Sequence, residues 1–258
     1  MKTQPYFPAT FLSLLLLIQM SSYGQKMMKV DDSLKSNSDQ FEVKRKGGGV
    51  IGKYEFGMYK IISGKEGLMK TTSSSRFMNP NSNISSKQKL SFVFVGHESD
   101  TLFVNASINN DLSMLDYDRF PAWYKGDNQI KESKDNFLAL ITAAADTNTW
   151  NLAMVSLSGS SVQGNHQLKG ILTDGKINIE IRELYFWEDG KKPTLYPYLG
   201  YEFLLNNQSV AAIQCSLDGF QKKRFWIRKG LEKPIELILA AAAAAAVVRT
   251  DEIAMKMQ

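Results

Sequence analysis

Residues 50–250 predict a mainly β fold, a closed antiparallel barrel of about eleven to twelve strands around a hydrophobic C-terminal helix. Three observations predict it. Apolar residues alternate with period two along most of the chain, and turn signals break the alternation every few residues. Near the end, Pro234 to Arg249 reads as one helix without a polar face, and a helix apolar all round is buried in protein or lipid. Residues 235–249 span about 22 Å at ~1.5 Å per residue, short of the ~20 apolar residues that a bilayer span needs.

Taken in order, the first 24 residues read as a targeting segment. Lys2 supplies a positive start, Phe11 to Ile18 a short apolar run, and Ser22-Tyr23-Gly24 the small residues of a cleavage site. The expected product is exported, to the periplasm or the outside. Loss of Lys2 leaves 30 basic and 26 acidic residues, against 31 and 26 in the full 258-residue chain. A mildly basic balance permits loose attraction to anionic surfaces, and export argues against nucleic acid as a partner. The single cysteine leaves no internal disulfide. Cys215 shares a face with Ala211, Ile213 and Leu217 and reads as a small buried hydrophobe.

Residues 25–49 carry Asp31-Asp32-Ser33, Ser36-Asn37-Ser38 and Lys44-Arg45-Lys46 and read as a flexible leader, with Gly47-Gly48-Gly49 a hinge. Tyr54, Phe56 and Met58 line one strand face, and the phase change at Tyr59 and Ile61 implies a bulge. Residues 67–78 form a weak polar strand. Leu90-Phe92-Phe94 and Leu102-Val104-Ala106-Ile108 mark the next two. The stretch 111–136 lacks a period and is expected to be a short helix or a long loop. Phe137–Ala143 pairs with Trp150–Leu157. Leu168–Thr173 pairs with Lys176–Trp187 across Asp174-Gly175, a hairpin signal. Tyr198–Leu205 meets Ser209–Leu217 across Asn206-Asn207-Gln208, and Asp218-Gly219 turns into Lys222–Lys229. Pro234 suits a first helical turn. Glu236 and Arg249 complement the helix dipole, and residues 251–258 form a tail.

Few residues carry recognisable chemistry. Gly47 to Lys53 matches G-x-x-x-x-G-K, but Tyr54 stands where Ser or Thr must bind magnesium, and a strand follows where a helix is needed. His97 and His166 lack a second ligand at metal spacing and read as surface-loop residues. Asp111, Asp116 and Asp118 lack calcium-loop spacing. No cofactor is implied. Trp123 and Tyr124, with Tyr185, Trp187, Tyr196 and Tyr198, offer a stacking surface for a sugar or apolar ligand, against ordinary core packing. In Lys222–Lys229, inward Phe225 and Ile227 would leave Arg224, Trp226 and Arg228 on the outer face beside Lys222. Cations flanking a tryptophan suit a membrane interface or an anionic headgroup. The competing reading is a solvated strand with edge-protecting charges.

Across residues 198–250, Tyr201-Glu202-Phe203, a turn, Val210-Ala211-Ala212-Ile213, Phe225-Trp226-Ile227 and the apolar helix from Ile235 resemble the end of the tubby-like barrel superfamily. That group includes tubby proteins, phospholipid scramblases and LURP-one-related proteins. The resemblance implies a barrel of about twelve strands around a central C-terminal helix. Tubby members bind phosphoinositide headgroups through basic residues, which by analogy implicates Lys222, Arg224 and Arg228. The expected function is thus non-enzymatic binding of anionic lipid or an envelope surface. The alternatives are a carbohydrate or small-ligand binder using the aromatics of 117–124, and a hydrolase without a recognisable motif.

Overall fold

The computed structural model describes residues 25–47, 51–75, 79–96, 100–116, 129–144, 148–160, 166–193, 198–215 and 221–256. The elements are α1 (Asp32–Ser36), β1 (Ser38–Lys46), β2 (Lys53–Phe56), β3 (Tyr59–Glu66), β4 (Lys70–Ser75), β5 (Asn81–Val95), β6 (Thr101–Leu115) and β7 (Gln129–Ala143). There follow β8 (Thr149–Ser158), β9 (His166–Thr173), β10 (Asn178–Leu184), β11 (Gly200–Leu205), β12 (Gln208–Gln214), β13 (Lys223–Arg228) and α2 (Lys233–Lys256). All strands join one antiparallel sheet, and the pairing of β3 with β5 closes it. Twelve strands make the closed barrel. β4 is the extra one, lying beside the half of β5 that β3 does not reach.

The alternation read from the sequence sorts inside from outside. Phe92, Phe94, Leu102, Val104, Phe137 and Ile141 all point into one core. The hairpins expected at Asp174 and at Asn206-Asn207 both form. Asn206 and Asn207 take φ of 52° and 62°, the left-handed pair that a tight two-residue turn needs. The phase change near Tyr59 is a hairpin as well as a bulge. Gly57, at φ +62°, turns β2 into β3, and the register with β5 slips between Ile61 and Ser63.

α2 fills the barrel. From Ile238 to Thr250 no residue is more than 5% exposed, and Leu239 to Ala246 are fully buried on every face. Alanine lets the wall come close, and strands β6, β7, β12 and β13 lie against the helix. At the entrance, a Cβ on Gly96 would lie 2.4 Å from Leu237 Cδ1, so a larger residue there would push the Leu237 side chain aside. Polar pins hold both ends of the helix. Tyr59 donates to Glu236 at the start, and Tyr54 donates to Asp251 at the far mouth. Lys223 Nζ also meets Asp251 Oδ1 at 2.5 Å. These partners, with Thr250 Oγ1 donating to Ala246 O at 2.8 Å, carry the helix through the residues expected to be a tail, as far as Lys256.

Two other expectations are corrected. Residues 25–46 are an ordered part of the fold, not a flexible leader. Asp31 caps α1 by accepting from the backbone N–H groups of Ser33 and Leu34. β1 then closes the barrel against β13, from Ser38 opposite Arg228 to Val43 opposite Lys223. Residues 111–115 and 129–136 are neither helix nor loop. They extend β6 and β7, which stay paired from Leu102–Ala143 out to Leu115–Gln129.

Candidate functional site

The basic strand singled out in the sequence is committed to structure. Phe225 and Ile227 do point inward, at 0% and 3% exposure. Trp226 faces outward as expected yet is only 3% exposed, because Met28, Val30, Leu34, Trp187, Leu199 and Ala212 form a second small core over it. Gln214 fastens this pad, accepting from Met28 N at 2.9 Å and donating to Lys26 O at 3.3 Å. The cations beside Trp226 serve the same cover. Lys222 Nζ pairs with Glu42 Oε2 at 2.9 Å, Arg224 reaches Lys26 O at 3.4 Å, and Arg228 reaches Ser33 Oγ at 3.2 Å. Trp226 is therefore closed off, while Lys222 stays exposed and Arg224 and Arg228 half-buried around the cover.

Trp123, Tyr124 and the rest of the 117–124 aromatics lie outside the described residues, as do His97, Asp118 and Tyr196. Trp187 sits in the pad. Tyr198 and Tyr185 belong to a polar cluster inside the barrel mouth, so these three do not form an exposed stacking surface. His166 opens β9 and is no surface-loop residue. Its ring lies 2.8 Å from Glu183 Oε1 and stacks on Tyr198 at 5.7 Å. Tyr185 donates to Glu183 Oε2 at 2.8 Å. Beside them Arg249, 1% exposed, donates to Tyr201 at 2.6 Å and to Asp135 Oδ2 at 2.8 Å. Burial pushes the Tyr198 and Tyr201 hydroxyls above the ordinary tyrosine range and keeps them neutral. This cluster fixes the helix in the barrel. Among the described residues, strand β2 opens at Lys53 where the phosphate motif needs a helix N-terminus. Asp111 accepts from Ser85 Oγ at 2.6 Å, within paired strands.

The surface that stands out lies where β3 gives way to β4 along β5. Glu66 sits opposite Leu90, and Lys70 opposite Lys87. Between these points three residues, Gly67-Leu68-Met69, face two, Gln88 and Lys89. The extra residue makes a bulge, held by Gly67 N donating to Lys89 O at 2.8 Å. The bulge throws the apolar pair outward, leaving Leu68 92% exposed and Met69 46%. Four exposed lysines surround it: Lys65, Lys70, Lys87 and Lys89. None has an ion-pair partner among the described residues. Lys70 and Lys87 stand directly opposite on adjacent strands, an arrangement that costs stability unless an anion lies over it. The neighbouring carboxylate of Glu66 accepts from Gln88. An apolar knuckle ringed by exposed cations can enter an interface and hold its anionic groups.

Fold and surface together define a closed twelve-strand barrel plugged by its own C-terminal helix, with a basic apolar knuckle on its wall. Comparisons with protein-family models, with curated proteins and with solved structures found no match.

Proposed function

We propose that this protein is an exported, non-enzymatic binding module that docks on anionic lipid surfaces through the Leu68–Met69 knuckle. The observation that carries the reading is a leucine at 92% exposure among four lysines that have no acidic partner among the described residues. Leu68 and Met69 enter the headgroup layer, and Lys65, Lys70, Lys87 and Lys89 attract the anionic groups around them. At about 1 kcal/mol for each basic residue near such a surface, four supply about 4 kcal/mol, roughly three orders of magnitude in partitioning. The resemblance to tubby-like barrels supports the same reading, since a barrel around a C-terminal helix is the architecture it implies. The lipid contact itself moves from Lys222, Arg224 and Arg228 to the knuckle, because the former are engaged with residues 25–42. The apolar run of residues 11–18 supports export.

The test is flotation of the purified protein with anionic and with neutral vesicles at two salt concentrations. The screening length falls from ~10 Å at 0.1 M salt to ~3 Å at 1 M. Binding is expected to need anionic lipid and low salt. It should be lost in Leu68→Ser/Met69→Ser and in Lys70→Ala/Lys87→Ala, and kept in Arg224→Ala/Arg228→Ala. Equal flotation with neutral vesicles, or none with either, would sink the proposal.

A further inference from the structure

We infer that the outer wall beside the knuckle binds a free long-chain fatty carboxylate in a groove of about 770 Å³. The volume lies within the ~300–1,000 Å³ of small-ligand sites. The inference rests on the reading above only in sharing Lys65 and Lys89.

The groove crosses β3, β5, β6, β7 and β8 at right angles to the strands. Two rows of outward side chains bound it. One runs Ser91, Asn105, Leu140, Asn151 and the other Lys89, Ser107, Leu138, Ala153, each residue opposite the next on the neighbouring strand. Between them lies the row Leu90, Ala106, Ala139, Leu152, whose side chains enter the core, so backbone makes the floor. Four inter-strand steps of ~4.8 Å give a length of about 19 Å.

The chemistry changes from end to end. Lys65 and Lys89 stand at the β3–β5 end together with Glu66, whose Oε1 accepts from Gln88 Nε2, and Ser91, Asn105 and Ser107 follow on β5 and β6. Leu138 and Leu140, 47% and 48% exposed, line the β7 part, and Ile171, 40% exposed, continues the apolar surface opposite Ala153. Large apolar side chains left half open on an interior stretch of sheet mark a contact surface. The backbone along the floor is already paired on both sides, so a peptide cannot add here as a strand. An occupant without hydrogen-bonding demands along its length, and with one negative end, fits the whole groove. A bilayer is too broad for it, whereas a single acyl chain follows it, with the carboxylate between Lys65 and Lys89.

The experiment is titration of the purified protein, without vesicles, with a fluorescent long-chain fatty acid below its aggregation concentration. A long-chain alcohol of equal length competes in a second arm. The expected result is saturable one-to-one binding, about tenfold weaker in Leu138→Gln/Leu140→Gln and in Lys65→Ala/Lys89→Ala, with the alcohol a poor competitor. Both variants lie on the outer wall, and circular dichroism with thermal melting confirms their fold. Leu68→Ser/Met69→Ser should bind the fatty acid unchanged while losing vesicles. Absence of saturable binding, or binding indifferent to Leu138 and Leu140, overturns the inference. If the fatty acid fails and flotation succeeds, the groove alone is wrong; if flotation fails and the fatty acid binds, the knuckle alone is wrong.

Discussion

Arg249→Met removes the one guanidinium that α2 carries into the barrel wall. In the native fold that group bonds Tyr201 at 2.6 Å and Asp135 at 2.8 Å, with Arg249 1% and Asp135 8% exposed. Methionine retains much of the side-chain length and leaves the Asp135 carboxylate buried without its cation. Breaking a buried pair from one side costs about 3–5 kcal/mol. For a domain of this size one kcal/mol moves the melting temperature by roughly 2–4 °C, so a fall of about 10 °C is expected. Asp135→Asn/Arg249→Met removes both charges and should recover most of the loss, because apolar or neutral replacement of a whole buried pair is often close to neutral. The assay is thermal and urea denaturation of the wild type, both single variants and the double. A single variant within 2 °C of wild type would refute a desolvated pair, and purely additive losses would refute coupling between the two residues.

Three further outcomes follow from the same packing. Ala243→Arg places an unpaired charge among fully buried residues of α2 and should abolish the cooperative melt; a normal melting curve would put the helix outside the barrel. Cys215 is 2% exposed and burial pushes its thiol up to about 12, so the native protein should resist thiol reagents at pH 8 and react only with denaturant, whereas rapid native labelling would contradict the register of β12. Burial also raises the Glu202 carboxyl above its ordinary value. A raised folded value means that its contribution is fully present below the unfolded value and lost as pH rises through the folded one. Glu202→Gln should therefore raise the melting temperature at pH 7 and change it little at pH 4; destabilisation at pH 7 would show that Glu202 works as an ionised partner of Arg182.

The barrel was legible because its inner face alternates strictly, as in Leu90-Phe92-Phe94, and because the alanine run has no side on which to face water. Cys215 was legible for the same reason. The N-terminal strand was not. β1 offers only Phe41 and Val43 between charges; its end Lys44–Lys46 pairs locally with β2, but the partner of Ser38–Val43 lies some 180 residues away, so little nearby announces the strand. Trp226 was placed on the correct face, but the residues that bury it, Met28, Val30 and Leu34, are scattered through a polar stretch. Leu68 and Met69 were visible as apolar residues in a polar segment, and Lys65 and Lys70 flank them in sequence. Lys87 and Lys89 join the group only through the pairing of β4 and β3 with β5, which composition cannot show. Leu138 and Leu140 looked like ordinary strand residues. Their exposure depends on which face of β7 meets the helix.

The seam between β1 and β13 bears on the order in which the chain can reach its native state. Made from its N-terminus, the chain can pair Lys44–Lys46 with β2 early, but Ser38–Val43 have no partner until residues 223–228 exist, and there is no plug until the alanine run follows. Contacts so distant in sequence form slowly. Every earlier strand must remain open, with its inner aromatics exposed, until the final segment arrives. This also means that a chain stopped after Gly230 has strands on either side of the seam but nothing to close around, and should be digested rapidly by protease where the whole protein survives.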